Sequence, residues 1–367
     1  MRVLQVIARL NVGGTARYVG RLATDLPAHG LETLVATGHV QGAEEEDPIA
    51  RQIVIKRIPH LGRRINPVAD LQALRELQKM VDQYRPDIIH THTFKAGLLG
   101  RLVKSKARRV HTFHGHLLDD PEFAGLKKPI VIQIERWLAK RTDALVTVGQ
   151  RVGTDLLAAK IGRSGQYLSI PPGIQPLQIP TRTHAREALS LADEDRLIVA
   201  WVARVTGVKG PHRAVELAKL LPNARFLMAG GGDLLEEMRR AAPENLTVLG
   251  WQDAATVWGA ADIALSTSDN EGMPVALIEA QLAGIPAVAI GAGAIAEVVI
   301  DGETGYVTTA DLEFLRARLA ALIVDAGLRT KMGEVAKVHA RALFTPMRML
   351  NEHVLLYERL VKETKHR

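Results

Sequence analysis

The chain contains no cysteine, few aromatic residues and no long uncharged apolar run. Its 367 residues include no Cys and only 4% Phe, Trp and Tyr, so a disulfide scaffold is excluded. The apolar stretch 285–300 contains Glu297 and several glycines, and a membrane-spanning helix is therefore not expected. Residues 1–10 hold one short apolar stretch with no cleavage pattern after it, which predicts a strand rather than a signal peptide.

The residues that are present indicate a globular α/β protein. A content of 47% apolar and 24% charged residues excludes a disordered or collagen-like chain, and at roughly 150 residues per domain the length predicts two domains. In both halves, short apolar runs alternate with longer amphipathic stretches, as in parallel sheets covered by helices. The predicted strands are residues 3–7, 32–37, 53–58, 88–91, 109–112, 144–148, 167–170, 197–202, 225–229, 246–249, 263–266 and 287–290.

A proline-rich break at residues 170–182 separates the two halves. Its four prolines forbid a continuing helix or central strand. The domains are therefore placed at residues 1–172 and 173–345. A final helix predicted over 346–362 lies far enough beyond the second sheet to pack back on the first domain, so residues 346–367 are kept as a separate segment.

The two halves differ in charge. Residues 1–180 hold 26 basic and 16 acidic residues, whereas the remainder holds 21 basic and 24 acidic ones. A basic first half favours an anionic partner such as a membrane surface, a phosphorylated acceptor or nucleic acid. The alternative is that these charges serve solubility alone.

The segment from Asp269 to Glu279 is the most informative part of the sequence. Gly272 and Pro274 precede an apolar helix whose first backbone N–H groups lack internal partners, an arrangement that binds anions. Glu271 lies ahead of this helix and Glu279 lies inside it, and carboxylates are good acceptors for sugar hydroxyls. The alternative is that Glu271 only interacts with the dipole at the helix N-terminus and that Glu279 lies on a solvated face of the helix.

Cations and glycines follow other predicted strands. Arg204 and Lys209-Gly210 come after strand 197–202, where an α/β fold binds anionic ligands, although two surface cations would look the same. Gly13-Gly14 follows the first strand, so the backbone can approach a ligand closely there.

Histidines follow two strands of the first half. His114 and His116 end one strand and His90 and His92 end another, where imidazole can bond a sugar hydroxyl or titrate near neutrality. Neither set has the spacing of a zinc site, and Asp119 and Asp120 are interpreted as solvated loop residues.

Taken in order, these motifs resemble a family 4 glycosyltransferase of the GT-B fold. The resemblance covers nearly the whole chain and is most specific at the spaced glutamates with Glu-Gly-Met-Pro at their start. It implies two Rossmann-like α/β/α domains that face each other across a donor cleft. The motifs that carry it are Gly13-Gly14 with Arg17, residues 90–101, residues 111–116, Pro171-Pro-Gly173, Arg204 with Lys209-Gly210, Gly230-Gly-Gly232, Glu271 to Glu279 and Ala283-Gly-Ile-Pro286.

The resemblance also implies a role for each residue of the site. Arg204 and Lys209 hold the donor diphosphate, Glu279 holds the ribose, and Glu271 holds the transferred sugar. Backbone amides around Pro274, at Met273, Val275 and Ala276, assist with the diphosphate. Gly13 and Gly14 approach the donor, His114 lies beside its sugar, and Gly250, Trp251 and Gln252 line the nucleobase.

The implied activity is retaining transfer of a hexosyl group from a nucleoside diphosphate sugar, with a UDP-sugar favoured, to a hydroxyl acceptor. No metal and no cofactor is expected beyond the donor as co-substrate. The expected acceptor is a lipid-linked or cell-surface glycan precursor. A cytoplasmic location is expected, at the inner face of the cell membrane if basic groups such as Lys104, Arg101, Arg63-Arg64 and Lys127-Lys128 bind anionic lipid.

Three classes of protein remain as alternatives. A nucleotide-sugar epimerase shares the two-domain design, and a phosphorylase would need a pyridoxal-binding lysine for which no context is found. A non-enzymatic basic protein that binds membrane is the second alternative, while the scarcity of aromatics disfavours nucleic acid. The interpretation as a dinucleotide oxidoreductase rests on Gly230-Gly-Gly232 alone, and this run lacks the full glycine spacing of a dinucleotide-binding motif.

Overall fold

The structure is a computed structural model that describes residues 1–42, 44–62, 66–115, 125 and 127–365. The chain divides into two compact units, one formed by Met1–Gly173 with Pro346–Arg367 and the other by Ile174–Thr345. Each unit contains one parallel sheet covered by helices. The prediction of two Rossmann-like α/β domains is therefore confirmed.

The first unit has a seven-stranded parallel sheet in the order β3-β2-β1-β4-β5-β6-β7. Its strands are β1 Arg2–Ile7, β2 Glu32–Thr37, β3 Ile55–Arg57, β4 Ile88–His92, β5 Arg108–Phe113, β6 Ala144–Thr147 and β7 Tyr167–Ser169. Its first helices are α1 Gly14–Asp25, α2 Pro67–Tyr84, α3 Phe94–Leu102, α4 Lys127–Ala139 and α5 Gln150–Ala158. The central strands β1 and β4 are buried on both faces. β1 is largely apolar, whereas β4 ends in three buried polar residues, His90-Thr-His92.

The second unit has a six-stranded parallel sheet in the order β10-β9-β8-β11-β12-β13. Its strands are β8 Ile198–Val202, β9 Arg225–Ala229, β10 Leu246–Gly250, β11 Ile263–Ser266, β12 Ala287–Ile290 and β13 Gly305–Thr308. Its helices are α6 Arg182–Ala188, α7 Pro211–Leu220, α8 Leu235–Ala241, α9 Ala254–Ala260, α10 Val275–Leu282, α11 Ile295–Val298, α12 Leu312–Val324 and α13 Ala326–Leu343. Ala200 packs in one apolar layer and Val199 and Trp201 pack in another, as alternation along a strand covered on both faces requires.

The last helix, α14 Pro346–Lys365, belongs to the first unit. Arg348 donates to the carbonyl of Pro171 over 2.8 Å, and the guanidinium of Arg108 donates to the carbonyl of Leu360 over 3.1 Å. His353 and Tyr357, one turn apart on this helix, are both fully buried. The helix therefore completes the core of the first unit and adds two polar side chains to it.

Candidate functional site

The predicted donor residues of the second unit follow two neighbouring strands. Arg204 and Lys209 come after β8, and Glu271 comes after β11, which pairs directly with β8. From β8 the chain runs outward through β9 and β10 and then returns to the other side as β11. The carboxyl ends of such a pair border the crevice where open α/β sheets bind ligands.

Arg204 has a rigid backbone and an exposed side chain. Its neighbours extend the β8–β9 pairing, since Ala203 N–H donates to Ala229 over 3.1 Å and Val205 N–H to Gly231 over 2.9 Å. A Cβ on Gly230 would lie 1.8 Å from the carbonyl oxygen of Ala203, so this close approach requires glycine. The Arg204 guanidinium has no hydrogen-bond or ion-pair partner among the residues that the structure describes.

Lys209 and Glu271 form an ion pair. The ammonium of Lys209 lies 2.5 Å from Oε1 of Glu271, and the side chains are 17% and 12% exposed. The hydroxyl of Ser268 donates to the same oxygen over 2.7 Å. The family resemblance implies that these two charges contact different parts of the donor, and the structure places them in direct contact with each other.

Thr267 connects the segments that carry this ion pair. Its buried hydroxyl accepts from Nε1 of Trp201 over 2.9 Å and donates to the carbonyl of Gly210 over 2.8 Å. Gly210 has φ +61°, and a Cβ there would lie 2.3 Å from the carbonyl oxygen of Thr267. Thr267 and Ser268 were not predicted as part of the site; the polar residues that follow β11 were the signal for them.

Helix α10 begins next to this ion pair. Its first residue, Val275, follows Pro274, and no side chain caps the helix N-terminus. The N–H of Val275 donates to the carbonyl of Met273 over 3.0 Å, whereas the N–H groups of Met273 and Ala276 have no backbone partner within the described part of the chain. Glu279 lies inside the helix and is 6% exposed. A helix end with open amides favours an anion.

Residues 250–252 lie at the end of β10, two strands away from β8. Gly250 has φ +76°, and the side chain of Trp251 is 66% exposed. The indole lies over Gly231, because a Cβ there would come within 2.1 Å of its Nε1. Gln252 follows as an exposed polar residue. An exposed indole offers a flat surface on which a heterocycle can stack.

The predicted residues of the first unit lie at the carboxyl ends of β1 and β5. Gly13, directly before α1, has φ +151°, and a Cβ added to it would have no atom within 4 Å. Gly14 is the first residue of that helix and is exposed. His114 follows β5 and is half-buried. Its Nε2 lies 2.9 Å from Nδ1 of His92, and its ring packs edge-on against Tyr18 with the centroids 4.9 Å apart.

His114 lies next to a group of buried imidazoles. His90 bonds the hydroxyl of Tyr357 through Nδ1 and that of Thr112 through Nε2, each over 2.6 Å. Burial lowers the pKa of His90 well below its ordinary value, lowers that of His114 to about 3, and lowers that of His353 to about 4. These rings are therefore neutral at neutral pH.

Several predicted residues lie outside the described part of the chain, namely His116, Asp119, Asp120 and Arg63-Arg64. Among the residues that are described, no group of three or more His, Asp or Glu is placed to bind a metal ion. No helix of this described part is long and apolar enough to cross a bilayer.

The basic cluster expected at the surface of the first half is partly internal. Arg101 is fully buried and lies 2.7 Å from the buried carboxylate of Glu135. Arg108 pairs with Asp143 over 2.7 Å. The interpretation of Arg101 as a surface cation is therefore wrong: its long stem fills the core and its charge is neutralised there. Lys104 and Lys106 are exposed.

Comparisons with known proteins agree with this architecture. Residues 13–173 match the family described as glycosyl transferase 4-like domain, and residues 184–339 match glycosyl transferases group 1. The UDP-Gal:alpha-D-GlcNAc-diphosphoundecaprenol alpha-1,3-galactosyltransferase of Escherichia coli is 27% identical over 63% of this chain and 64% of its own length. The putative glycosyltransferase EpsD of Bacillus subtilis is 26% identical over 78% of this chain and 80% of its own length.

Solved structures share the fold. Sucrose-phosphate synthase from Thermosynechococcus elongatus superposes with a TM-score of 0.84 at 20% identity, covering 99% of this chain and 100% of that one. Anabaena HepE in complex with UDP and glucose gives 0.83 at 19% identity, covering 98% and 100%. The two family matches together extend over both units, and the chain belongs to the family 4 glycosyltransferases of the GT-B fold.

Proposed function

We propose that this protein is a retaining, metal-independent hexosyltransferase that takes its sugar from a nucleoside diphosphate sugar, with a UDP-sugar favoured. The observation that supports this most directly is the Lys209–Glu271 ion pair ahead of the open start of α10, with Arg204 at the end of β8, the strand that pairs with β11. A diphosphate is bound by cations and backbone amides, and the sugar attached to it needs a nearby carboxylate that accepts hydrogen bonds from its hydroxyl groups.

The proposal gives each group one part of the donor. Arg204 and Lys209, with the amides of Met273, Val275 and Ala276, bind the diphosphate. Glu279 binds the ribose, and Glu271 binds the transferred sugar. Gly250, Trp251 and Gln252 line the base. In the first unit, Gly13, Gly14 and His114 are assigned to the donor by family resemblance.

The chemistry follows from where charge develops. As the glycosidic bond breaks, the sugar gains oxocarbenium character and the diphosphate gains negative charge, so fixed cations and amides lower the barrier. Two side-chain cations supply the neutralisation that a divalent metal would otherwise supply. Retention is assigned to attack on the face that the diphosphate leaves, with its oxygen accepting the proton of the acceptor hydroxyl.

The names of relatives support the donor and acceptor classes. The E. coli relative is named for UDP-Gal as donor and a diphosphoundecaprenol-linked sugar as acceptor, and the HepE structure holds UDP and glucose. We therefore propose a UDP-sugar donor and a hydroxyl on a lipid-linked or cell-surface glycan precursor. We also propose a cytoplasmic location at the inner face of the cell membrane.

The donor class is tested by thermal shift and by transfer assays in excess chelator. UDP at a hundred times its dissociation constant is expected to stabilise the protein by about 2.7 kcal/mol. GDP and ADP at the same concentration are expected to stabilise it by less, because they bind more weakly. Transfer from UDP-sugars is expected to persist in EDTA. The absence of a shift with any nucleotide, or complete loss of transfer in EDTA, would contradict the proposal.

The two glutamates are expected to affect different steps. Glu279→Ala should weaken UDP binding in titration calorimetry because the ribose hydroxyls lose the carboxylate that accepts their hydrogen bonds. Glu271→Gln keeps an oxygen for Lys209 and Ser268, so UDP binding should stay close to that of the unmodified protein while transfer falls. Equal loss of UDP binding in both variants would disprove this division of roles.

An exposed face of α4 is the surface we propose for the membrane. Ile130 is 61% exposed and Trp137 is 43% exposed. They are seven positions apart in the helix, which places them on the same face. The guanidinium of Arg141 lies 4.4 Å from the Trp137 ring centroid, and Lys127 lies one turn before Ile130. An aromatic and aliphatic face bordered by cations fits the surface of an anionic bilayer.

Vesicle sedimentation tests this surface. Binding is expected to vesicles that contain phosphatidylglycerol and not to phosphatidylcholine vesicles, and to weaken at high salt. Trp137→Ser with Ile130→Ser should reduce it at least about tenfold, because apolar burial contributes roughly 25 cal/mol per Å². The matched control is Val324→Ser in α12, which alters a side chain that is 84% exposed. Equal binding by both variants would contradict the assignment.

A further inference from the structure

Three polar side chains of the first unit form a hydrogen-bonded row that ends at His114. Oε1 of Gln5, in the middle of β1, lies 2.6 Å from Nε2 of His92 at the end of β4. Nδ1 of His92 lies 2.9 Å from Nε2 of His114. Gln5 and His92 are fully buried, whereas His114 is half-buried at the carboxyl edge of the sheet.

The row determines where each proton lies. Desolvation lowers the pKa of His92 well below its ordinary value and that of His114 to about 3, so each neutral ring carries one proton. The oxygen of Gln5 only accepts, so Nε2 of His92 must be protonated and its Nδ1 must carry a lone pair. That lone pair accepts from His114, whose proton is therefore on Nε2, which leaves Nδ1 as an acceptor.

Packing holds the same row in place. The ring of His92 lies 4.2 Å from that of His90, centroid to centroid, and His114 is held against the ring of Tyr18. His114 can therefore neither change rotamer nor exchange its tautomer without breaking its hydrogen bond to His92.

We infer that Gln5 and His92 are positioning residues that hold His114 as the Nε2–H tautomer, so that Nδ1 accepts a hydrogen bond from a hydroxyl of the transferred sugar. The substrate part of this inference rests on the proposed function. Such a site selects a sugar that has a hydroxyl at the contacted carbon, because a deoxy analogue offers no donor to the buried row.

Nitrogen-15 NMR of histidine-labelled protein tests the tautomer directly. The unmodified protein is expected to show His114 protonated on Nε2 and bare on Nδ1. Gln5→Met removes the acceptor and should give a mixture of tautomers, and Gln5→Glu should restore the Nε2–H form. Thr112→Val, which deletes a buried hydroxyl bonded to Nε2 of His90 and not to any member of the row, should leave the tautomer unchanged. A proton on Nδ1 of His114 in the unmodified protein overturns the inference.

Kinetics separate positioning from general damage. Gln5→Met should lower kcat about tenfold with the KM for the donor little changed, the size of one lost hydrogen bond. Combined with His114→Ala it should cause no further loss, because it acts through that ring. A full additional tenfold loss would overturn the inference. The NMR result does not depend on the donor, so a protein that shows the expected tautomer but transfers no sugar contradicts only the proposed function.

Discussion

Arg204→Ala is expected to lower kcat/KM for sugar transfer by about 10²–10³-fold, the effect of removing one preorganised donor from a developing anion. The guanidinium is exposed at the end of β8, its backbone is fixed by the Gly230–Gly232 loop, and no described residue competes for it. Arg204→Lys should recover part of the loss, since it restores charge without the planar fork.

Lys209→Ala is expected to cause at least as large a loss, for two reasons. It removes a cation, and it leaves the carboxylate of Glu271, only 12% exposed, without its counter-charge. Lys209→Arg keeps the charge and therefore separates the two contributions. Because the negative charge grows only as the bond breaks, both alanine variants should affect kcat more than the KM for the donor.

The control for both is Arg240→Ala, which removes an exposed arginine of α8 in the same unit. Initial rates at several donor concentrations give kcat and KM for each variant. If Arg204→Ala lost no more activity than Arg240→Ala, the assignment of the diphosphate site to the end of β8 would be wrong.

Much of the fold was predictable because central parallel strands are buried on both faces. The strands Arg225–Ala229, Ile263–Ser266 and Ala287–Ile290 have the predicted bounds, since each is a short and largely buried apolar run, as expected of a strand covered on both faces. β13, Gly305–Thr308, was missed: it is a short edge strand that begins with glycine, and its extended form depends on pairing with β12.

Four helices were also missed, namely α5, α11, α12 and α13. In α12 the apolar residues lie on more than one face, with Leu315 and Leu319 buried and Phe314 and Val324 exposed, so no clear periodicity marks the helix. α5, Gln150–Ala158, follows Gly149, and no side chain caps its start. α13, Ala326–Leu343, was likewise not predicted.

The candidate site was predictable in its members but not in their contacts. Local motifs identified Lys209 and Glu271, but their contact depends on β8 and β11 being neighbours across the point where the sheet reverses its order. The row through Gln5 depends equally on the β1–β4 register, which pairs Ile7 with His92. His353 and Tyr357 lie four residues apart in the last helix, and that spacing was the signal that they share a face.

The first unit is expected to unfold on mild acidification. His90, His92, His111 and His353 are no more than 1% exposed, and desolvation lowers the pKa of each below the ordinary 6.5. Neighbouring rings act in the same direction, as do Arg101 beside His111 and Arg348 beside His353. The unfolded chain therefore binds more protons than the native state between these lowered pKa values and 6.5.

The sign of the pH dependence follows from this difference. The stability contributed by neutral histidines is fully present above pH 6.5 and is lost as the pH falls through the window toward 4. Below pH 6.5, each histidine that stays neutral in the native state lowers the free energy of unfolding by about 1.4 kcal/mol per pH unit. Several such residues in one core are a large load on a domain that is stabilised by about 5–15 kcal/mol.

Hydrogen exchange read by mass spectrometry, corrected for the intrinsic rate at each pH, separates the two units. Peptides from β1, β4 and β5 should lose protection between pH 6.5 and 5, whereas β8 and β11, whose unit has no comparable group of buried imidazoles among its described residues, should keep theirs. His353→Gln keeps a polar group beside Tyr18 and the carbonyl of Met349 but cannot be protonated, so it should reduce the slope by about 1.4 kcal/mol per pH unit. Loss of protection in both units at the same pH would show that these histidines do not control the stability of the first one.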